Sequence, residues 1–207
     1  MSPRSRDLTE QALDRIAAPD GEGSRACLSV YAQAARAAAD AADARHEAGQ
    51  ALGPLDGVVI TIKDLFDVQA EVTRAGSAVL ARIGDKAKAD APAVARLRAA
   101  GAVIVAKTNM TEFAFSGVGL NPHFGTPGNP FDRTRIPGGS TSGGAVACAD
   151  GIGAIAIGTD TGGSTRIPAA LCGLTGWKPT ARRIPLAGVH PLSPARSPES
   201  GASARTV

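Results

Sequence analysis

The sequence is poor in aromatic residues, which make up 3% of its 207 residues, whereas hydrophobic residues make up 43%. A core built from this chain therefore depends on Ala, Val, Ile and Leu. The sequence also has little excess of charge of either sign, because 22 basic residues against 19 acidic ones give a net charge of only +3. Such a mild, scattered excess does not indicate a nucleic-acid-binding surface. The length allows one large domain or two small ones with a real core.

Cysteine and long apolar runs are scarce as well. The three cysteines are Cys27, Cys148 and Cys172. No two of them have C-x-x-C spacing, and an odd number of cysteines cannot all pair in disulfides, which favours a reducing compartment. No window approaches the roughly 20 apolar residues that a membrane-spanning helix needs. The first seven residues lack the apolar stretch of a signal peptide. We therefore expect a soluble, cytoplasmic protein with no membrane partner.

No metal or nucleotide motif is complete. The histidines His46, His123 and His190 lie far apart, and no second histidine follows at the spacing of a zinc-binding helix. Gly139 and Gly144 have P-loop spacing, but alanine stands where that loop needs lysine. The Rossmann glycine pattern does not follow any strand-like run. We expect no metal and no cofactor, and solvated or structural histidines.

Strand and helix patterns alternate along the chain, which predicts an α/β fold with a mixed central sheet flanked by helices. Short buried strands are predicted at residues 58–63, 102–106 and 152–159. Helices are predicted at residues 8–18, 27–50, 91–100 and 142–149. We divide the chain into an N-terminal helical segment (1–50), a core (51–192) and a poorly ordered tail (193–207), because the tail has almost no apolar residues.

Two turns rich in glycine and serine are the most informative local feature. They are Pro137-Gly138-Gly139-Ser140-Thr141-Ser142-Gly143-Gly144 and Gly158-Thr159-Asp160-Thr161-Gly162-Gly163-Ser164-Thr165-Arg166. Consecutive backbone N–H groups in the second turn can converge on one point and stabilise an oxyanion. A tight turn without a ligand and a phosphate-binding nest are the alternatives. Neither serine lies in the G-x-S-x-G pattern of α/β-hydrolases.

Lys63 closes the apolar run at residues 58–62, so it stands at the end of a predicted buried strand. A serine hydroxyl is a poor nucleophile until a neighbouring base takes its proton. Because no histidine is suitably placed in the sequence, lysine becomes the candidate base, provided that burial lowers its pKa. The alternative is a strand-end lysine that reaches solvent. Together, the two serine turns and Lys63 suit a Ser-Ser-Lys hydrolase.

From about residue 53 to residue 180, the sequence resembles the amidase signature family of serine hydrolases. Pro137–Ser140 and Gly158–Ser164 of the two turns match this family in order and spacing. Five further segments also match: Leu55-Asp56-Gly57-Val58-Val59-Ile60-Thr61-Ile62-Lys63-Asp64, Gly101-Ala102-Val103-Ile104-Val105-Ala106-Lys107-Thr108-Asn109-Met110-Thr111-Glu112-Phe113, Asn129-Pro130-Phe131, Arg166-Ile167-Pro168-Ala169-Ala170 and Cys172-Gly173-Leu174-Thr175-Gly176-Trp177-Lys178-Pro179-Thr180. The resemblance covers more than half of the chain. It implies the amidase signature fold and amide hydrolysis through an acyl-enzyme.

The resemblance also implies a role for individual residues. Ser164 would be the acylated nucleophile, Lys63 the base, and Ser140 the bridging serine, preceded by a cis peptide bond from Gly139. The family's oxyanion-hole segment matches Thr161, Gly162, Gly163 and Ser164. The positions that match supporting residues are Asp160, Arg166 and Ser142, and an ion pair that braces the turn is an alternative role for the first two.

Members of the family run to well over twice this length, so the resemblance implies a fold truncated at the C-terminus. We expect a stand-alone amidase that acts on small carboxamides. The alternatives are the glutamine amidase subunit of a tRNA-dependent amidotransferase and an inactive, truncated remnant. Because later strands and helices of longer relatives would cover part of the sheet, we also expect exposed apolar surface, weak activity and self-association into homo-oligomers.

Overall fold

A six-stranded mixed sheet forms the centre of the computed structural model, which describes residues 4–191 and 199–204. Its strands are β1 (Cys27–Val30), β2 (Val59–Lys63), β3 (Val103–Thr108), β4 (Ile155–Asp160), β5 (Thr175–Trp177) and β6 (Glu199–Ala204). They lie in the order β1-β3-β2-β4-β6-β5. Strand β2 is parallel to β3 and β4, whereas the pairs β1–β3, β4–β6 and β5–β6 are antiparallel. The predicted mixed α/β sheet is confirmed.

Helices of four to sixteen residues connect and cover these strands. They are α1 (Ser5–Ala17), α2 (Gly23–Ala26), α3 (Ala32–Glu47), α4 (Ala78–Ile83), α5 (Pro92–Ala99), α6 (Ser142–Ala149) and α7 (Arg166–Leu171), with a 3-10 turn at Glu112–Ala114. The prediction for residues 142–149 matches α6 at both ends. The helices predicted at residues 8–18 and 91–100 correspond to α1 and α5.

The central strands are apolar on both faces because both faces are covered. Every residue of β2 and of β3 is buried. Val59 and Val103 point into a core shared with α1, α3 and α6, whereas Ile60 and Ile104 point into a second core on the side of α5. This two-residue alternation places Lys63, at the end of β2, on the same face as Val59 and therefore on the face that carries α6.

The helix predicted for residues 27–50 is wrong at its beginning. Cys27–Val30 forms β1 instead, and the helix occupies Ala32–Glu47. The alanine-rich composition favours helix throughout this stretch, but the first four residues pair antiparallel with β3, opposite residues such as Lys107. Long-range strand pairing here overrides local helix propensity.

Within residues 193–207, which the sequence predicts to be a poorly ordered tail, the structure describes six residues. Glu199–Ala204 forms β6, which inserts between β4 and β5 and pairs with both. The remainder of the predicted tail, apart from these six residues, lies outside the described residues. In the part of the chain that the structure does describe, no helix is long and apolar enough to cross a bilayer.

Candidate active site

The candidate site lies at one edge of the sheet, where parallel strands end together. Lys63 is the last residue of β2, and Thr159 and Asp160 are the last residues of the neighbouring strand β4. Carboxyl ends of adjacent parallel strands form the usual crevice of open α/β sheets. The turn that carries Ser140 leads into α6, which packs on both of these strands. Residues far apart in sequence are thereby brought together.

Lys63 contacts two hydroxyl groups inside the protein. Its Nζ lies 2.8 Å from Ser140 Oγ and 3.1 Å from Thr159 Oγ1, and all three residues are buried. The sequence-based site did not assign a role to Thr159. Its position at the end of a predicted buried strand was the available signal, because parallel strands end at the same edge of a sheet.

Burial controls the protonation of Lys63. Removal from water lowers the pKa of Lys63 from 10.5 to about 7, and the negative charge of Asp160 opposes this shift. In a substantial fraction of the molecules, Lys63 is therefore a neutral amine near neutral pH. A neutral amine can accept the Ser140 proton along the 2.8 Å contact, which a charged ammonium group cannot do.

The backbone of the Ser140 turn is held from several sides. The peptide bond between Gly139 and Ser140 is cis, as the resemblance implied. Thr111 donates its N–H to Ser140 O at 3.1 Å. Thr141 donates its N–H to Ser164 O, also at 3.1 Å, so the two serine turns are joined directly. This bond places the backbone of the half-buried Ser164 next to Thr141, the residue that follows Ser140.

The carboxylate of Asp160 organises the loop that carries Ser164. Its Oδ1 accepts the N–H of Gly163 at 2.8 Å, and its Oδ2 accepts the N–H groups of Thr165 and Arg166, each at 3.2 Å. The guanidinium of Arg166 also binds both carboxylate oxygens, at 2.8 and 2.9 Å. Although burial opposes ionisation, these bonds lower the pKa of Asp160 below its ordinary value. The ion pair expected between Asp160 and Arg166 is present.

One amide of the predicted oxyanion-binding segment already has a partner in the structure. The buried Gly163 donates its N–H to Asp160 Oδ1. The exposed residues Thr161 and Gly162 and the half-buried Ser164 keep their amides as candidates. The sequence predicted four consecutive donors, since spacing alone does not reveal which amide a neighbouring carboxylate will take.

The remaining predicted residues have simpler environments. Ser142 is the first residue of α6, and its buried Oγ has no hydrogen-bond partner among the described residues. His46 contacts Asp56 O, His123 lies 3.3 Å from a carboxylate oxygen of Glu112, and His190 packs against a phenylalanine ring. These contacts lie outside the Lys63–Ser140 pair. In residues 4–191 and 199–204, no group of three or more His, Cys, Asp or Glu could hold a metal ion.

Known proteins are similar to this chain in sequence and in fold. A protein-family model described as Amidase matches residues 7–207. AtzE, a 1-carboxybiuret hydrolase subunit of Pseudomonas sp. (strain ADP), is 44% identical over 189 residues, which are 91% of this chain and 41% of that protein. A glutamyl-tRNA(Gln) amidotransferase subunit from Chloroflexus aurantiacus is 48% identical over 178 residues, which are 86% of this chain and 36% of that protein.

Solved structures with a similar fold include related enzymes. The native peptide amidase of Stenotrophomonas maltophilia superposes with a TM-score of 0.87 at 37% identity, covering 99% of this chain and 42% of that one. The inhibitor-bound structure of a vestigial protein complex, described as revealing the evolutionary origins of an s-triazine catabolic enzyme, gives a TM-score of 0.90 at 40% identity. The match covers 98% of this chain and 44% of that one. The chain therefore spans about two fifths of the length of these relatives.

Proposed function

Because this chain belongs to the amidase family, we propose that it hydrolyses the amide bond of small carboxamides through an acyl-enzyme on Ser164, with Ser140 and Lys63 as a proton relay. The observation that carries the proposal is the 2.8 Å contact between Lys63 Nζ and Ser140 Oγ inside a buried site. Burial and this contact together supply what a serine nucleophile needs, which is a base that is neutral near pH 7.

Acylation moves protons from Ser164 through Ser140 to Lys63 and then back to the leaving group. Neutral Lys63 takes the proton of Ser140, and Ser140 takes the proton of Ser164 as the Ser164 Oγ–carbon bond forms. The carbonyl oxygen becomes an oxyanion that the amides of the Ser164 loop stabilise. When the intermediate collapses, the carbon–nitrogen bond breaks, and the proton on Lys63 returns through Ser140 to the leaving nitrogen.

Deacylation uses the same relay, with water in place of Ser164 as the attacking group. A water molecule gives its proton to Ser140, which passes a proton to Lys63 as the water oxygen attacks the acyl carbon. The Ser164 ester bond breaks, and Ser164 recovers a proton through Ser140. Lys63 ends as the neutral amine with which it began, so no net proton is consumed by the enzyme.

Labelling with a fluorophosphonate probe tests the nucleophile. The Ser164→Ala variant is expected to lose probe labelling and amide hydrolysis together, because the attacking oxygen is removed. The control is Ser24→Ala, which changes an exposed serine in α2 and should label like the wild type. A covalent adduct on Ser140 or Ser142 in the Ser164→Ala variant would contradict the assignment.

A second candidate function follows from the relatives that are named as glutamyl-tRNA(Gln) amidotransferase subunits. In that case glutamine is the amide substrate, and the released ammonia is passed to a partner protein. Release of ammonia from glutamine, compared with its release from simple aliphatic and peptide amides, separates the two candidates. Hydrolysis of simple amides without glutaminase activity favours the stand-alone amidase.

A further inference from the structure

A second buried lysine lies in the strand next to Lys63, opposite Ile62 in the register of β2 and β3. Lys107 in β3 is completely buried, and its Nζ has no hydrogen-bond partner among the described residues. The nearest opposite charge is the carboxylate of Asp64, the residue that follows Lys63, whose Oδ1 lies 3.7 Å from Lys107 Nζ. Asp64 is also completely buried. The proposed proton relay uses neither residue, yet both occupy costly positions beside it.

Arg74 completes this group, which we call the Asp64 cluster: Asp64, Arg74 and Lys107. The Arg74 Nε lies 3.2 Å from each carboxylate oxygen of Asp64, and Nη2 lies 3.2 Å from one of them. The same Nη2 donates to Ser29 Oγ of β1 at 2.7 Å. Burial raises the pKa of Asp64, and the neighbouring cations Arg74 and Lys107 oppose this shift. The carboxylate thus joins the end of β2 to strands β1 and β3.

Asp64 also anchors the turn at residues 74–76. Its backbone carbonyl accepts the N–H of Ala75 at 3.0 Å, and its Oδ2 receives the N–H of Gly76 at 3.4 Å. Its own N–H donates to Thr108 O at 3.1 Å. Both the main chain and the side chain of the residue after Lys63 are therefore fixed by other elements.

From this turn, a series of contacts leads to the other partner of Lys63. Ala75 O accepts the N–H of Phe113 at 2.9 Å. Two residues earlier in the chain, Thr111 donates its N–H to Ser140 O at 3.1 Å. Asp64 is thus connected to Lys63 by one peptide bond and to Ser140 through the segments at residues 74–76 and 111–113.

We propose that Asp64 is a positioning residue, which holds Lys63 Nζ and Ser140 Oγ at the distance needed for proton transfer by fixing the backbone on both sides of that contact. This inference rests on the amide hydrolysis proposed above. A displacement of about 1 Å in such a relay costs on the order of 100-fold in rate. An asparagine at this position keeps the shape of the side chain but loses the charge that holds Arg74 and Lys107.

The other end of β2 offers a matched control. Asp56, just before β2, has a fully buried carboxylate that binds the guanidinium of Arg45, with Leu52 N–H as a further donor at 2.9 Å. It therefore resembles Asp64 in chemistry and burial, but it lies away from the carboxyl end of the strand. A purely structural effect of losing a buried carboxylate–arginine pair should appear equally in both positions.

The kinetic test compares Asp64→Asn with Asp56→Asn in the full chain. We expect Asp64→Asn to lower kcat for amide hydrolysis about 100-fold with KM within about threefold of the wild type. We expect Asp56→Asn to leave kcat within about threefold, even if the two variants lose similar stability in urea. Equal kcat losses in the two variants, or wild-type kcat in Asp64→Asn, would overturn the inference.

A second readout does not depend on activity. Selective ¹³C labelling of lysine allows the titration of Lys63 to be followed by NMR, with Lys63→Met identifying the signal. When Asp64→Asn loosens the site, water reaches Lys63 and its pKa should rise from about 7 toward its ordinary value of 10.5, whereas Asp56→Asn should leave the titration unchanged. An unchanged Lys63 titration in Asp64→Asn would contradict the positioning role.

The two readouts separate the inference from the proposed function. If wild-type Ser164 fails to react with the fluorophosphonate probe, the proposed function fails, while the Lys63 titration still reports on Asp64. If Asp64→Asn does not fold, Arg74→Lys serves instead, because lysine keeps the charge but loses the fork that binds both carboxylate oxygens. A wild-type Lys63 titration in Arg74→Lys then counts against the inference.

Discussion

At the scale of single residues, the role proposed for Lys63 conflicts with the stability of the fold. Its Nζ is buried and the folded-state pKa is about 7, against an ordinary value of 10.5. Between these two pH values, the unfolded chain binds a proton that the folded chain does not, so the free energy of unfolding should rise with pH across this window. Below pH 7 the full cost of burying a charged amine is present. The property that suits Lys63 to the proposed role of base therefore destabilises the fold.

Replacement of Lys63 by methionine makes this conflict measurable. Lys63→Met keeps a long, flexible side chain and removes the buried amine, so it should be inactive and yet melt at a higher temperature than the wild type at pH 6. The difference should shrink as the pH rises from about 7 toward 10.5. Thermal unfolding followed by circular dichroism across this pH range gives the measurement.

The control for this prediction is Lys88→Met, which changes an exposed lysine. Its stability difference from the wild type should not follow pH in this window. A pH-independent difference for Lys63→Met, or a loss of stability at pH 6, would show that Lys63 does not lose its charge on folding.

The sequence predicted some residues of the site and missed others for a physical reason. Lys63 and Ser140 stand in recognisable motifs, and the structure brings their side chains into contact. Thr159 was missed because a threonine at a strand end has no chemical signature until its neighbouring strand is known. The bond between Gly163 and Asp160 was missed for the same kind of reason, since it depends on loop geometry rather than on spacing.

At the scale of elements, apolar strands that are covered on both faces were predictable, and edge or small-residue strands were not. The β-branched runs of β2 and β3 indicate burial by composition. Strand β1 follows a helix without a break and precedes an alanine-rich one, and β6 consists of Glu, Ser, Gly and Ala, which carry little strand propensity. Strand β1 forms by pairing with β3, and β6 forms by pairing with β4. The local sequence of β1 and β6 therefore does not predict them, because their formation depends on these partner strands.

Helix α6 depends on a glycine that allows close packing against the strand layer. A Cβ added at Gly143 would lie 2.6 Å from the backbone nitrogen of Asn109, and Gly143 N–H donates to Asn109 O at 3.0 Å. Backbone atoms cannot move aside easily, so Gly143→Ala should cost about 1–3 kcal/mol in the free energy of unfolding, despite the higher helix propensity of alanine. Because α6 follows Ser140 directly, probe labelling of Ser164 should slow as well.

Gly153→Ala is the matched control for this prediction. An added Cβ there meets its nearest atoms at 3.5 Å, an ordinary van der Waals distance. Its free energy of unfolding, measured by urea denaturation, should stay close to that of the wild type. If Gly143→Ala is as stable as Gly153→Ala, the contact between α6 and Asn109 is not tightly packed.

At the scale of the whole molecule, the chain spans about two fifths of the length of its relatives, and it exposes large apolar side chains. Trp177 in β5 is 55% exposed and Phe131 is 77% exposed. The ring of Phe131 packs against Gly173, which lies between α7 and β5 and four residues before Trp177. We call the exposed side chains of Phe131 and Trp177 the β5 surface. Exposed aromatic residues of this kind mark sites of association.

We therefore expect the 207-residue chain to self-associate as its concentration rises, with the β5 surface as the contact. Analytical ultracentrifugation over a hundredfold range of concentration, about 1 to 100 μM, measures this, and Phe131→Glu and Trp177→Glu should each shift the equilibrium toward monomer because they place charge in an apolar contact. Ile83→Glu is the control, since Ile83 is 71% exposed but lies in helix α4, outside the β5 surface. If Ile83→Glu dissociates the chain as well as Trp177→Glu does, the contact lies elsewhere. If the wild type is a monomer throughout, these side chains do not drive association, because the aromatic area left exposed is too small to outweigh the entropy lost when two molecules combine.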